Sequence, residues 1–194
     1  PIYFLAGKER FTAQTKKLMT ALMPEKAAAY LMENAQLTNR IFSKYISGQL
    51  TDAAVLGIIC FISMSILKMP YARLVSMIVT VTNIIPVIGP FIGAVPSIFI
   101  ISMVSFPKAL GFAVLVLVLQ QIDGNILVPK IVGDSTGLSG FWVFLAIFAG
   151  GGLFGITGVI LGVPTMAVAY SIIKEIIEKR LRSRGKPADT SEYL

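Results

Sequence analysis

Few side chains in this sequence are equipped for chemistry, and most of them sit in short clusters. The first is QQIDGN, residues 120–125, which closes an apolar run. Its amides, Gln120, Gln121 and Asn125, both donate and accept hydrogen bonds, as a hydroxylated solute requires. Its carboxylate, Asp123, is a candidate to bind a cation or carry a proton. An ionised carboxylate at bilayer depth costs about 2.5–3.5 kcal/mol on insertion scales, so one kept there has a use. Asp123 also has a purely structural alternative. It would sit at the membrane interface, capping a turn at Gly124–Asn125 or pairing with Lys130. The second cluster is NIIPVIGP, residues 83–90, where Asn83 precedes Pro86, Gly89 and Pro90. A helix broken there frees carbonyls around Ile85–Gly89. Asn83 then either satisfies that backbone or lines a path. The third cluster, AGGGLFG at 149–155, has no polar side chain. Gly151 and Gly152 offer bare backbone and close packing.

Other chemistries are excluded by what is missing. With no histidine and one cysteine, Cys60, there is no Ser–His triad, Cys–His dyad, histidine zinc site or internal disulfide. Cys60 lies in the apolar run IICFI and reads as a packed thiol. DSTG (134–137) echoes an aspartic protease loop, but no second carboxylate follows it before Glu175. A P-loop lysine motif is absent, which argues against direct ATP coupling. Neither an enzyme nor a cofactor is expected. The net charge of +7 reads as membrane orientation by Lys and Arg rather than nucleic-acid binding.

The elements that must hold these residues belong to a bilayer. Mean hydropathy is +0.79. Only 14% of residues are charged, against about 25% in a soluble domain. No charge falls between Arg73 and Lys108, or between Asp134 and Lys174. Each gap exceeds the ~20 residues of a spanning helix. The fold expected is an all-α, polytopic membrane bundle.

Along the chain, PIYFL within residues 1–7 reads as the end of a membrane helix whose beginning is absent. Residues 8–49 read as a basic amphipathic region of two helices, the second starting near Pro24–Glu25 and running on into the membrane. Its role is to cover the membrane surface or pack on neighbours. A transmembrane domain covers 50–175, with a first span at 50–67 bracketed by Asp52 and Lys68. Another span is expected at 107–122, followed by a polar loop over 120–140. A basic tail covers 176–194. Blocks 72–105 and 141–173 are apolar but broken by IIPVIGP and AGGGLFG. A straight helix over either would run ~50 Å, against ~30 Å of hydrocarbon. Each block is therefore either two short tilted spans or a re-entrant hairpin. Backbone freed at such breaks must be buried in protein or line water. Paired breaks of this kind point to a transporter site between them. Thr80 and Thr82 are expected to bond back within their own helix. By either count of crossings, residues 8–49 and the tail share one face. Both are rich in Lys and Arg, so that face is expected to be cytoplasmic.

Three stretches in matching order carry a family likeness: NIIPVIGPFIGAVP (83–96), QQIDGNILVPKIVG (120–133) and GLSGFWVFLAIFAGGGLFGITGVILGVP (137–164). They resemble the autoinducer-2 exporter family, and the likeness covers most of the chain. Ser139–Gly140 departs from the bulkier residues usual there, which bears on the local helix start. The resemblance implies a longer multispan protein of the bacterial inner membrane, assembled as a homo-oligomer. It also implies export of a small polar molecule such as the quorum signal autoinducer-2, or sodium (lithium)/proton antiport. A non-transporting scaffold accounts for the glycine packing but not for two broken blocks. The partners implied are the lipid bilayer and a small polar solute or a monovalent cation and proton, with no nucleic acid.

Overall fold

A computed structural model describes residues 24–132 and 136–187, with Lys17, Ala21 and Glu192 as isolated positions. The helix end expected at 1–7 and most of the first amphipathic helix lie outside the described residues. Among those described, the chain is helical and contains no strand.

Helix α1, Glu25–Ile66, starts one residue after Pro24 and continues without a break through the expected amphipathic helix and first span. It crosses from one compact unit, ending at Arg40, into a second that holds residues 41–194. The second unit carries the site and is described by itself below.

There, α1 is followed by α2, Ala72–Thr82, and α3, Gly89–Ser102. These are the two arms of the first broken block. At 11 and 14 residues they are ~17 and ~21 Å long, so neither arm alone crosses a ~30 Å slab. The arms run antiparallel. A β-carbon on Gly89 would collide with the Thr82 carbonyl, and one on Gly93 with the Thr82 hydroxyl. Thr80 and Thr82 donate to the carbonyls of Ser76 and Ile78, at 2.8 and 2.9 Å, as expected of hydroxyls in an apolar helix.

Helix α4, Phe106–Ile122, begins with Pro107 in its first turn, where a missing N–H costs nothing. The polar loop expected over 120–140 does not form at its start. The chain instead continues as a π-helical segment, π1, over Asp123–Val132. Gly124, Asn125 and Pro129 weaken the α ladder, and the wider turn accommodates them. Asn125 adds its side-chain amide to the Gln121 carbonyl at 2.8 Å, where the ladder changes register. The candidate span is thus Phe106–Val132 rather than 107–122.

The second broken block is a tighter hairpin. Helix α5, Gly140–Ser183, folds back on itself at one residue, Gly155, with φ 60° and ψ −143°. That region of backbone space is essentially open to glycine alone. The arms meet through small residues: Gly150 against Gly158, and Ala146 against Gly162. Trp142 and Tyr170 close the open end, with ring centroids 5.9 Å apart.

One apolar core joins Leu56, Cys60 and Met64 of α1 to Val75, Val79, Ile101, Ala109, Phe112 and Leu119. Cys60 is fully buried there, the packed thiol that its apolar setting implied. Large side chains such as Phe91, Phe99, Phe148 and Leu153 stand exposed, as a surface wrapped by lipid requires. The architecture is an all-α membrane helix bundle with two broken hairpins.

Candidate functional site

The site is built on α1, the first break and π1. Asp52 has no exposed surface and Asp123 is 8% exposed. The two carboxyl groups border the same cavity. Asn83 lies between the elements: its amide donates to Asp52 Oδ2 at 3.2 Å. Gln49, one turn before Asp52 on α1, donates to the Asn83 carbonyl at 2.9 Å. The last carbonyl of a broken helix is thereby satisfied by a side chain from another helix rather than by lipid.

Local sequence explains each placement. Gln49 and Asp52 are three apart, so they share a face of α1, with Tyr45 one turn earlier. Gly48 and Gly57 let that face approach its neighbours. A β-carbon on Gly57 would collide with the Thr80 hydroxyl, and one on Gly48 would lie 3.3 Å from Val132 Cα. Asp123 begins π1, and Gln120 is one turn earlier. At the break itself, Val87 has φ 65°, a conformation that costs a β-branched residue of order 1–3 kcal/mol.

These groups border a cavity of about 390 Å³. Of the site residues chosen from sequence, Asn83, Pro86, Pro90, Gln120 and Asp123 line it. Gly89 does not; its role is the close approach to Thr82. Gln121 and Asn125 are exposed and bond to each other, Asn125 Nδ2 to Gln121 Oε1 at 3.1 Å. Lys130 is also exposed, and Asp123 faces Asp52 and the cavity, so the interfacial cap with its turn at Gly124–Asn125 does not describe it.

The site was expected between the two breaks, and only the first borders the cavity. From the second block, Val143 and Val163 contribute, each well down its arm from the Gly155 turn. Gly151 and Gly152 lie near the turn and away from the cavity. Among the described residues, no cluster of three or more His, Cys, Asp or Glu residues could hold a metal. Asp52 was expected at the membrane interface, as the start of a span. It lies within the 42-residue helix α1 and is fully buried. Tyr45 and Gln49 were not singled out from sequence. The signal that could have found them is their spacing: Tyr45, Gln49 and Asp52 form one polar stripe on an otherwise apolar face.

Comparison with known proteins adds a family. The family model described as AI-2E family transporter matches residues 1–178. Two candidate transport proteins of Bacillus subtilis are similar: YueF, 32% identical over 96% of this chain, and YrrI, 45% identical over 70%. A Synechocystis candidate transport protein, sll0063, is 33% identical over 65% of the chain. The chain spans 52% of the length of YueF and 38% of YrrI, about half or less of the curated relatives it matches. No solved structure matches it.

Proposed function

The chain belongs to the AI-2E transporter family, and on that premise we propose that it forms the solute path of a secondary transporter, moving a small polar molecule past the Asp52–Asn83–Asp123 cluster. The observation that carries this reading is the pair of buried carboxyls beside a cavity in an otherwise apolar bundle. Two such groups are expensive to bury, and structural stability alone rarely keeps them. The broken backbone at 83–88 borders the same cavity, which fits irregular backbone lining a path rather than lipid. The protein's part is passage rather than catalysis. In the specific form the family suggests, the solute is exported across the bacterial inner membrane and autoinducer-2 is one such solute. Residues 8–49 and the basic tail lie on the cytoplasmic side, and the working unit is a homo-oligomer.

The paired carboxyls also favour a second reading, sodium (lithium)/proton antiport, in which a proton carried by Asp52 or Asp123 is exchanged for the metal cation. The two readings differ in what crosses, not in where.

Flux through proteoliposomes holding the full-length protein tests the site. Asp52→Asn and Asp123→Asn should each lower solute flux by about ten-fold or more at equal protein content, the cost of losing a charged hydrogen-bond partner. Gln121→Ala, outside the cavity, should leave flux near wild type. Unchanged flux in both aspartate variants sinks the proposed site. Sodium-driven proton movement that survives without any solute selects the antiport reading.

A further inference from the structure

The cavity carries more chemical information than its carboxyls alone. Among the described residues, three buried polar atoms in its wall lack a hydrogen-bond partner: Tyr45 Oη, Asp52 Oδ1 and Asp123 Oδ1. Their residues are at least nine-tenths buried, at 4%, 0% and 8% exposure. A buried polar atom without a partner is rare in a folded protein, and three around one cavity point to a missing ligand. All three can accept a hydrogen bond, and the carboxylates can only accept when ionised. Of the three side-chain amides in the wall, Gln49, Asn83 and Gln120, two are already engaged, Gln49 with the Asn83 carbonyl and Asn83 with Asp52.

The charge is one-sided as well. Among the described residues no Lys or Arg lines the cavity, so no cation there offsets the two carboxyls. Apart from Gln120 and Thr136, the rest of the wall is apolar, chiefly Pro86, Pro90, Val128 and Val143. At about 390 Å³ the space is far larger than a bare metal ion and falls in the range of small-molecule sites, ~300–1,000 Å³. A metal cation would leave the apolar walls facing nothing. An anion would meet the carboxyls and find no cation. A neutral polyol would find acceptors in excess and few free donors.

We propose that the cavity binds a small primary ammonium compound, its nitrogen held among Asp52, Asp123 and the Tyr45 hydroxyl and its apolar body against the proline and valine wall. The three N–H bonds of an ammonium group match the three unpartnered acceptors in number and in kind. Aliphatic or aromatic carbon fills the remaining space, where burial is favourable. The inference rests on the transport reading only in taking this cavity as the solute site.

Calorimetric titration of the full-length protein in detergent with phenethylammonium chloride tests it. Binding is expected, with affinity lowered about ten-fold or more by Asp52→Asn and by Asp123→Asn, and about three-fold by Tyr45→Phe. Trimethylation of the probe nitrogen keeps the charge and removes every N–H, and should cost a similar ten-fold. Thermal melting of each variant confirms that it is folded; where an aspartate variant is not, the trimethylated probe on wild-type protein decides. Absence of binding to wild-type protein overturns the inference. So does equal affinity for the trimethylated probe, or tighter binding of the neutral phenethyl alcohol. Solute flux that depends on both aspartates without amine binding leaves the transport reading standing and removes this one. Amine binding without flux of any solute does the reverse.

Discussion

The two broken hairpins solve the same covalent problem in opposite ways. At 83–88 the chain leaves a helix through Asn83, passes Val87 in a strained left-handed conformation, and starts again at Gly89. Its freed carbonyl is met by Gln49 and its side chain by Asp52. At Gly155 the turn uses one residue that tolerates it, and the arms close on Gly150, Gly158 and Gly162 with no polar side chain at the turn. A glycine or proline break in an apolar block is therefore not itself a sign of a path. The sign is a break that recruits polar groups from other helices. The first hairpin does this and borders a cavity with buried carboxyls, whereas the second lends only Val143 and Val163 to that cavity and lines a separate space of about 640 Å³ whose only polar side chains are Thr157 and Thr165.

The largest effect should come from prising open the second hairpin. A leucine at position 158 has nowhere to go, because even its β-carbon would overlap the Gly150 carbonyl. Gly158→Leu should cost about 3 kcal/mol or more, the upper range for overpacking, and abolish folded protein in detergent. Size-exclusion chromatography and thermal melting report it. If Gly158→Leu folds normally and loses only flux, the second hairpin is a working part and the contrast with the first collapses.

The contrast was only half legible in the sequence. Both breaks could be read from Pro86, Gly89, Pro90 and the glycine run, because those residues act through their own backbone. Their different uses could not. Asp52 and Asp123 are 71 positions apart (123 minus 52), and only tertiary packing brings them to one cavity. Asp52 opens an apolar run, and its full burial depends on neighbours that the local sequence does not name. The residues DGN signal a turn locally, and tertiary contacts overrode that preference by continuing the helix as π1. The all-α bundle, by contrast, followed directly from long uncharged stretches that leave no other way to satisfy the backbone in lipid.

An intermediate effect should separate the hairpins by access to water. In a Cys60→Ala background, a cysteine at Val87, in the cavity wall, should react with a charged, membrane-impermeant thiol reagent. A cysteine at Leu153, among the exposed apolar residues Phe148, Phe154 and Ile156, should react at least about ten-fold more slowly, because the thiolate that reacts is disfavoured in hydrocarbon. Equal rates would mean that both turns are wet, and the second break would return as part of the path.

The smallest effect concerns the strain itself. Val87 holds φ at 65°, where a branched side chain is disfavoured and glycine is not. Val87→Gly should thus raise stability by about 1 kcal/mol, the lower end of the cost of such a conformation, offset in part by the greater freedom of glycine in the unfolded chain. Its side chain is 44% exposed, so little packing is lost. The same change should widen the conformations open to the break, so that flux falls or loses selectivity while melting temperature rises. A gain in stability with unaltered flux would show that the strain at Val87 is incidental to the path. A loss of stability would show that the valine side chain contributes more to the cavity wall than its backbone costs, and the first hairpin would then resemble the second, held by packing at its turn.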